Sequence, residues 1–570
     1  MEGHMTNSIE ELNLPLVNSY VEYWAKKTPD AIAMIQHEDD RAFSYKKFAS
    51  LIDFFALRLL DMGIKKGDTI ATLLVLLPEH IMLMYACFKI GAIIAPLDVR
   101  LQDDEVVRDI DKIKAKAFFF LGNTPVRDFR TAGKAVKEKC PYVEHLIQFT
   151  PDPQPGDLIA GATGITGMMD KKRLIWLKIK DVISGNLKKV YANIDKRTPA
   201  LIIYTTGTTG EPKPALLCHE NIIVQNRILS RGINVDSIKI LVNLPPSHVG
   251  CVTETFMTTI FLGGTAVLLR IFDVAMSLEA IQKHKINAIG QIPTQFRMMW
   301  AHPDYKKFDL SSLKAAAYAG SAVDVEFLKK LSTMAPNIGT GIGMTENAGF
   351  ATFTPAGISV EEMAGQVGRA FPDLAQVSIR KPMNANGTAG NELADGEIGE
   401  ICYHPPIVFL GYYGQPEATA KAISKEGILY TGDIGCFKDL GTYRALYLAG
   451  REKFMIKQKG FKVFPGEVED HISKLDKVDV VEVIGMPHSI FDDGIFAFVK
   501  PKPGEELTAQ AVMEHCKEIA SYKRPQHVEI WPADKLFPLT RSTKVDKLAL
   551  KKLAAPIIES LRKGGGWDAS

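Results

Sequence analysis

A short stretch rich in threonine and glycine, followed by a lysine, has the composition of a phosphate-binding loop. Its residues are Thr205, Thr206, Gly207, Thr208, Thr209, Gly210 and Lys213. Glycines let backbone N–H groups approach an anion closely, threonine hydroxyls add donors, and a lysine supplies positive charge. The spacing is not that of the Walker loop, in which Lys-Ser/Thr directly follows the second glycine. By composition alone, an ordinary turn explains this stretch as well as a phosphate site does.

Several further strings contain side chains that could bind a nucleotide, a metal ion or an organic acid. In chain order they contain His248, Val249, Gly250, Cys251, Gly290, Pro293, Gly320, Ser321, Ala322, Gly341, Ile342, Gly343, Met344, Thr345, Glu346, Asp433, Arg451, Lys453, Gly460 and Lys544. Taken singly, each has a plainer explanation, since a lone histidine is more often structural and an aspartate after glycine usually caps a turn. Their order along the chain is more informative than any one of them.

In this order the strings closely resemble the motifs of the adenylate-forming superfamily, which includes acyl-CoA synthetases, peptide-synthetase adenylation domains and luciferases. The resemblance covers nearly the whole chain after about residue 14. It implies that the protein is an AMP-forming acid–thiol ligase that binds ATP, Mg²⁺ and coenzyme A. The positions that depart from the family pattern are Pro214, Ile342, Phe454 and Thr543.

The resemblance also implies roles for individual residues. Glu346 would coordinate Mg²⁺ and Thr345 would donate to the α-phosphate of ATP. Lys213 and Lys544 would offset the charge that gathers on the phosphoryl oxygens. The residues that lie along adenine and the acyl group would be Gly320, Ser321, Ala322, Gly341, Ile342, Gly343 and Met344.

The resemblance implies that one later string binds the ribose of ATP and that another lies at the junction between two domains. Asp433 would accept hydrogen bonds from the ribose hydroxyls, and Arg451 would hold ribose or phosphate. Lys453 would be the hinge about which a C-terminal domain turns. This movement would withdraw Lys544 and bring the face of residues 457–463, which includes Gly460, into a tunnel for coenzyme A.

The predicted acyl pocket is apolar and contains glycines, so it has room for an acid larger than acetate. Its residues are His248, Val249, Gly250, Cys251, Gly290 and Pro293. A medium- or long-chain fatty acid and an aromatic or alicyclic acid remain open as substrates. Alternatives are an enzyme that loads an amino acid or aryl acid onto a carrier protein, a luciferase-like oxygenase, and a catalytically silent nucleotide-binding regulator. Amino-acid activation is disfavoured because residues 247–253 contain no acid and Glu254 lies late.

Composition limits the partners of the protein. The 570 residues, 46% of them hydrophobic, are enough for roughly two to four domains. A net charge of +2 indicates neither nucleic acid nor an acidic surface as a partner. Seven cysteines scattered singly predict buried, reduced thiols and no metal cluster. No segment has the ~20 uninterrupted apolar residues of a membrane span, so we expect a cytoplasmic protein, whose oligomeric state the sequence does not indicate.

Apolar runs that alternate with helical patterns predict an α/β fold. Residues 70–77, 92–97 and 117–121 read as parallel strands, and residues 79–89 as a crossover helix. The large N-terminal region, residues 14–452, would join parallel-sheet βα subdomains to a small β subdomain after residue 396. A small, mobile α+β domain, residues 453–563, would follow. Residues 151–196 are less regular, and we expect their glycine-rich string at residues 161–167 to form a surface loop and not a nucleotide site. Order is expected to fade at residues 564–566.

Overall fold

The computed structural model of the chain describes residues 12–150, 153–205, 211–233, 235–321, 323–458, 461–540 and 545–568. Within these residues two large and mainly parallel sheets, which we call sheet A and sheet B, form the N-terminal part. One continuous apolar core joins the two sheets and the helices around them, and a second core lies on the other face of sheet B. The predicted α/β fold with a large N-terminal and a small C-terminal region is confirmed.

Sheet A is parallel except at one edge. Its spatial order is Gly411–Tyr412, Lys213–Cys218, Pro199–Thr205, Ile93–Pro96, Thr69–Leu73, Ala117–Leu121, His145–Phe149 and Thr163–Gly164. The first two strands are antiparallel to their neighbours, and the others run parallel. Thr69–Leu73 and Ala117–Leu121 are buried at every position, as expected for parallel strands covered by helices on both faces.

Sheet B separates the two cores. Its spatial order is Asn337–Thr340, Ala315–Tyr318, Ala288–Gln291, Lys239–Val242, Thr265–Leu268, Ile32–Gln36 and Ala42–Ser44, and only the last strand is antiparallel. Successive side chains point to opposite faces, so Ile240 and Ala288 belong to one core while Leu241 and Ile289 belong to the other.

Smaller antiparallel units follow sheet B along the chain. Two hairpins pair Gly343–Met344 with Gly349–Phe350 and Thr352–Phe353 with Arg369–Ala370. A four-stranded sheet then has the order Val377–Arg380, Gly399–Tyr403, Leu429–Asp439 and Arg444–Arg451. Three strands of this sheet lie after residue 396, where a small β subdomain was predicted, whereas Val377–Arg380 lies before that boundary.

Helices cover both faces of the large sheets. Those of the N-terminal part are Val17–Lys27, Tyr45–Asp61, Pro78–Ile90, Asp103–Ile113, Arg130–Lys139, Ile165–Met168, Lys171–Ser184, Asn186–Tyr191, His219–Ile233, Gly250–Met257, Thr258–Phe261, Val274–His284, Pro293–Ala301, Tyr305–Lys307, Val325–Met334, Thr345–Asn347, Val360–Met363, Pro416–Ala422 and Glu452–Phe454. Local signals set several ends: the Ser44 hydroxyl accepts the Lys47 N–H, and Gly91 ends Pro78–Ile90 at a φ of 73°.

The C-terminal part forms its own sheet and apolar clusters. Strands Phe461–Val463, Ile456–Gln458, Asp492–Pro501 and Val478–His488 are adjacent in that order, and His527–Ile530 also pairs with Asp492–Pro501. Its helices are Pro465–Ile472, Ala509–His515, Cys516–Glu518, Ser521–Lys523 and Lys547–Lys563. Two clusters of buried side chains, one on each side of the sheet, hold these elements together.

Two expectations about irregular segments were wrong. The string at residues 161–167 is not a loop throughout, because Thr163–Gly164 is the edge strand of sheet A and Ile165–Met168 is a short helix. Two helices, which bury Leu174, Leu177 and Leu187, follow it. Order does not fade at residues 564–566, because Trp567 beyond them is fully buried. The Trp567 indole N–H donates to the Pro487 carbonyl at 3.0 Å, which fixes the end of the chain to the C-terminal sheet.

The structure also bears on the predicted state of the cysteines and on the predicted lack of a membrane span. All seven cysteines are buried and unpaired, as their scattered positions predicted. Among the helices that the structure describes, none is both long enough and apolar enough to cross a bilayer.

Candidate active site

The candidate phosphate loop leaves sheet A at the end of one buried strand and returns at the start of the next. Thr205, the last residue of Pro199–Thr205, is paired with Lys213, the first residue of Lys213–Cys218. Five of the predicted phosphate ligands, Thr206, Gly207, Thr208, Thr209 and Gly210, lie outside the described residues. The antiparallel pairing nevertheless fixes both ends of the loop and places Lys213 beside Thr205.

A buried carboxylate lies close to Lys213. Glu346 accepts a hydrogen bond from the Tyr412 hydroxyl at 2.7 Å, and the Lys213 ammonium lies 5.0 Å from the centroid of the same ring. Burial raises the pKa of Glu346, while the Tyr412 hydrogen bond and the charges of Arg451 and Lys213 act in the opposite direction. The three cationic or donor groups therefore favour the ionised form that burial alone would disfavour.

Glu346 is held by a tight hairpin. It lies in the short helix Thr345–Asn347, between strands Gly343–Met344 and Gly349–Phe350. The strands approach so closely that a Cβ atom on Gly343 would lie 1.8 Å from the Gly349 carbonyl oxygen. The Asn347 side chain accepts the Met344 N–H and donates to the Gly349 carbonyl, both at 2.7 Å. Glycine at position 343 is therefore a steric requirement of the element that presents Glu346.

The segment before Tyr412 is tied to the same hairpin. The Phe409 N–H donates to the Glu346 carbonyl at 2.9 Å. Gly411–Tyr412 pairs with Lys213–Cys218 at the edge of sheet A. Tyr412 is therefore held both by the Glu346 carboxylate and by the strand Lys213–Cys218. The sequence analysis did not select this tyrosine. Its position in a Gly-Tyr-Tyr-Gly string was the available signal.

Asp433 and Arg451 are paired on neighbouring antiparallel strands. They occupy opposite register positions in Leu429–Asp439 and Arg444–Arg451, and the Arg451 Nε lies 2.7 Å from an Asp433 carboxylate oxygen. Asp433 is buried, whereas the Arg451 side chain is 43% exposed. The structure thus brings together two residues predicted to hold the nucleotide, with the aspartate fixed and the arginine partly open to solvent.

A second carboxylate, which is partly buried, supports the turn that carries Asp433. Glu400 accepts the Gly432 N–H at 2.8 Å, and Gly432 adopts a φ of 73° that favours glycine. Burial, together with the charges of Glu452 and Asp433, raises the pKa of Glu400 to about 7. Sequence analysis passed over Glu400, because a glutamate in a Gly-Glu-Ile-Gly-Glu string is indistinguishable from a surface residue until its partner is known.

The predicted acyl pocket begins at a π-helix, Gly250–Met257. The His248 Nδ1 accepts the Gly250 N–H at 3.0 Å, so the proton of the neutral ring is on Nε2. The Thr255 hydroxyl donates to the carbonyls of Gly250 and Cys251, at 2.8 and 2.7 Å. Such back-bonding widens a helix, and Val249, Gly250 and Cys251 are buried around the widened turn.

Small side chains of sheet B face this π-helix. A Cβ atom on Gly290 would lie 3.6 Å from the Thr255 Cγ2, and Gly290 is in register with Ala317 on the neighbouring strand. Pro293 begins the next helix, Pro293–Ala301. His248, Gly250, Cys251 and Gly290 are thus grouped around one turn of helix.

Glu254 also belongs to this neighbourhood. Atom Cγ of Glu254 lies 2.6 Å from the position that a Cβ on Gly349 would take, and its Oε2 lies 3.6 Å from the corresponding position on Gly250. The carboxylate therefore lies between the π-helix and the hairpin of Glu346. From the sequence, Glu254 had been set aside as lying late, because its approach to Gly349 joins segments that are distant along the chain.

The remaining predicted nucleotide residues lie at the carboxyl end of sheet B. Gly320 follows Ala315–Tyr318 with a φ of 98°, and Ser321 is exposed beside it. Gly341 leads to the buried Ile342, whose N–H donates to the Thr352 hydroxyl at 3.1 Å. Ala322 lies outside the described residues. This edge of a parallel sheet is where open α/β folds bind ligands.

The predicted hinge directly follows the strand that carries Arg451. Lys453 lies in the short helix Glu452–Phe454, and its ammonium is 4.4 Å from the Phe454 ring centroid. Gly460 and Lys544 lie outside the described residues, so the C-terminal residues predicted to face the site stay predictions.

Fold and site together define a class: an α/β protein in which a buried carboxylate lies near a lysine that begins an antiparallel strand of the sheet, followed by an α+β unit. The family model described as "AMP-binding enzyme" matches residues 21–413, and the one described as "AMP-binding enzyme C-terminal domain" matches residues 467–544. The first match alone spans more than half of the 570 residues. The chain belongs to the AMP-binding enzyme family, as the resemblance predicted.

Curated relatives match along most of their length. The "Putative acyl-CoA synthetase YngI" of Bacillus subtilis is 28% identical over 562 residues, which cover 95% of this chain and 97% of the relative. The human "Medium-chain acyl-CoA ligase ACSF2, mitochondrial" is 26% identical and covers 95% and 88%. The "Indoleacetate--CoA ligase" of Aromatoleum aromaticum is 28% identical and covers 90% and 94%. The protein is therefore an enzyme of the acyl-CoA synthetase and ligase type.

Solved structures share the fold. The anthranilate CoA ligase AuaEII in complex with anthranoyl-AMP superposes with a TM-score of 0.78 at 19% identity, covering 96% of this chain and 99% of that one. ATP-bound MatB from Rhodopseudomonas palustris gives a TM-score of 0.76 at 22% identity, with coverage of 95% and 99%. At these identities the likeness shows the adenylate-forming fold and nothing finer.

Proposed function

We propose that the protein activates a carboxylic acid with ATP and transfers the acyl group to coenzyme A, releasing AMP. The observation that carries this proposal is the grouping of Lys213, Tyr412 and the buried Glu346. They meet where the chain re-enters sheet A after the predicted phosphate loop. An organic carboxylate is a poor electrophile, because its charge repels nucleophiles and oxide leaves reluctantly. Conversion to a mixed anhydride with AMP removes both obstacles.

The first half-reaction needs positive charge near the α-phosphate. A carboxylate oxygen of the acid attacks the α-phosphorus, the bond to the β-phosphate oxygen breaks, and diphosphate leaves with the electron pair. Lys213 and Lys544 offset the charge on the phosphoryl oxygens, and Thr345 donates to the α-phosphate. Asp433 and Arg451 hold the ribose, which fixes the phosphorus relative to the acid.

Glu346 is the proposed metal ligand. Magnesium prefers carboxylate and phosphate oxygens, and Glu346 presents a carboxylate close to the return of the phosphate loop. Bound there, Mg²⁺ would neutralise phosphate charge and orient the diphosphate leaving group. A cation would also favour ionised Glu346, against the effect of its burial.

The second half-reaction requires another arrangement of the same molecule. The thiol sulfur of coenzyme A attacks the acyl carbonyl, the bond to the AMP oxygen breaks, and the thiol proton passes to solvent. We divide the chain at the hinge Lys453 into residues 14–452 and residues 453–563. Rotation at Lys453 would move Lys544 out of the active site and bring in the face of residues 457–463, which includes Gly460. That face would then form one wall of a tunnel for coenzyme A.

The proposed substrate is a medium- or long-chain fatty acid or an aromatic or alicyclic acid. Support comes from the apolar neighbourhood of His248, Cys251 and Gly290, and from relatives named for medium-chain acyl groups and indoleacetate. Glu254 adds one acidic group to this neighbourhood. Amino acids therefore belong among the acids to be tested, since a carboxylate could pair with an ammonium group.

A panel of acids tests the proposal directly. The purified protein, ATP and MgCl₂ are incubated with each acid, and exchange of labelled diphosphate into ATP is measured; AMP release is then measured with coenzyme A. Exchange that depends on one acid class, followed by AMP release that needs coenzyme A, is expected. Exchange without a response to coenzyme A would favour carrier loading, and the absence of exchange with every acid would favour a nucleotide-binding regulator.

A further inference from the structure

The helix Lys171–Ser184, which we call the basic helix, exposes an unusual amount of apolar surface. Ile175, Trp176, Ile179, Val182 and Ile183 are between 47% and 82% exposed. At 100° per residue these side chains fall within an arc of about 120° on one face of the helix. A continuous apolar stripe of this kind on a protein surface usually marks a site that another apolar surface covers.

Basic side chains flank the stripe on both sides. Lys171 and Lys178 lie along one edge, and Arg173 and Lys180 lie along the other. The Arg173 guanidinium and the Lys180 ammonium lie 4.6 and 5.1 Å from the centroid of the Trp176 ring. Residues 171–191 contain seven lysines and arginines and one acid, whereas the net charge of the whole chain is only +2.

The opposite face attaches the basic helix to the body of the protein. Leu174 and Leu177 are buried, and the Arg173 guanidinium forms an ion pair with Asp61 at 2.5 Å. The Asp170 carboxylate caps the start of the helix by accepting the Arg173 N–H at 2.8 Å. The apolar stripe therefore points outward from a firmly held helix.

We propose that the basic helix is a docking surface for the face of a bilayer that contains anionic phospholipids. The helix would lie in the plane of the interface, with the stripe of Ile175, Ile179, Val182 and Ile183 among the acyl chains. Trp176 would sit at the headgroup level, and the flanking lysines would contact phosphate groups. At 14 residues the helix is about 21 Å long, too short to cross the hydrocarbon but suited to lie on it.

Charge favours a lipid surface over a second copy of this chain. Two copies that met through their apolar stripes would bring the lysine-lined edges of both helices together. Like charges at a desolvated interface oppose association, whereas anionic headgroups complement them. An anionic bilayer satisfies both the apolar stripe and its basic edges.

Vesicle sedimentation tests this proposal. The full-length protein is mixed with sucrose-loaded vesicles of phosphatidylcholine alone or with about 30% phosphatidylserine, an anionic content chosen to attract basic residues. We expect binding to the anionic vesicles that weakens in high salt, and little binding to the neutral ones. The variants I179D/I183D and K171E/K180E, the second of which reverses one basic residue on each edge, should each reduce the partition coefficient by roughly tenfold or more.

Matched controls separate this effect from a general loss of structure. Ile490 is 58% exposed in the C-terminal part, close to the exposure of Ile179, and I490D should leave vesicle binding unchanged. Thermal unfolding checks that all variants are folded. Equal binding to neutral and anionic vesicles, or no binding to either, would overturn the proposal. Dimerisation abolished by I179D/I183D without vesicle binding would assign the stripe to a second copy instead.

Discussion

The carboxylate of Glu346 shows how one residue depends on its neighbours. It is buried, yet Tyr412 donates to it and the charges of Lys213 and Arg451 favour its ionised form. A carboxylate in this environment is fixed in orientation and can receive a cation without moving. The proposed chemistry therefore depends on a group whose ionisation is set by its contacts as well as by its residue type.

Replacing Glu346 by Gln should lower diphosphate exchange by about 10²–10³, the scale of removing one group that stabilises transition-state charge. The shape of the side chain is kept, so the loss would reflect charge. Exchange rates measured across a MgCl₂ titration would show whether the variant needs more magnesium. Tyr412→Phe keeps the carboxylate and should lower exchange by about 10- to 100-fold, as a hydrogen bond to a charged group is worth about 1.5–3 kcal/mol. Equal exchange in Glu346→Gln and the wild type would contradict the metal assignment.

Glu400 leads to a prediction about pH. An unfolded glutamate ionises near 4.5, but burial raises the pKa of Glu400 in the fold to about 7. Between these values the folded protein holds a proton that the unfolded chain has released, so stability falls as the pH rises through this window. At pH 8, Glu400→Gln should be more stable than the wild type by roughly 3 kcal/mol, and the difference should vanish near pH 4.5.

Urea unfolding at several pH values would measure this difference. The side-chain amide that Glu400→Gln introduces can still accept the Gly432 N–H through its oxygen, so the turn before Asp433 is retained. The exposed Glu361, changed to Gln, serves as a control and should show no such pH dependence. A stability difference between Glu400→Gln and the wild type that does not vary with pH would refute the assignment.

At the scale of elements, the hairpin around Glu346 depends on close backbone contact. A Cβ on Gly343 would lie 1.8 Å from the Gly349 carbonyl oxygen, which is backbone and cannot move aside alone. Gly343→Ala should open the hairpin and lower diphosphate exchange about 10²-fold, as expected when a catalytic group is displaced by about 1 Å. Gly466→Ala is the control, because its Cβ would meet the nearest atom only at 3.8 Å. Normal exchange by Gly343→Ala would show that the hairpin tolerates a side chain.

Trp567, near the end of the chain, belongs to the C-terminal core. Trp567 is fully buried among Phe496, Ile558 and other side chains of that cluster. Trp567→Ala should lower the free energy of unfolding of the C-terminal part by about 3–5 kcal/mol, the usual cost of a large buried deletion. Leu553→Ala, on the exposed face of the preceding helix, should cost less than about 1 kcal/mol. Calorimetry would compare them, and equal melting temperatures would show that Trp567 contributes nothing.

At the scale of the whole molecule, one C-terminal region is proposed to serve two half-reactions. Lys544→Ala should slow adenylation by about 10²–10³, corresponding to about 2.7–4 kcal/mol, because it removes one charge beside the phosphates. Thioester formation from pre-made acyl-adenylate should be nearly unchanged, since Lys544 has then been withdrawn. Lys552→Ala, on the helix Lys547–Lys563, is the matched control. Equal losses in both half-reactions would contradict this division.

The fold was predictable where local pattern and burial agree. The runs at residues 92–97 and 117–121 became the buried strands Ile93–Pro96 and Ala117–Leu121, and the predicted crossover helix became Pro78–Ile90. The string at residues 161–167 was misread, because its glycines and threonines suggested a loop and gave no sign that Thr163–Gly164 pairs with the edge of sheet A. The end of the chain was misread for a similar reason, since three glycines gave no hint that Trp567 returns to the core.

The sequence by itself determined the family and the candidate residues, because each motif is a local string whose residue types carry its chemistry. Only the tertiary structure decided which groups act on one another. Tyr412 reaches Glu346 across 66 positions, and Glu400 reaches Gly432 across 32. Burial and hydrogen bonding depend on residues that are distant along the chain. The pKa values of Glu346 and Glu400 are therefore properties of the folded molecule, which no motif contains.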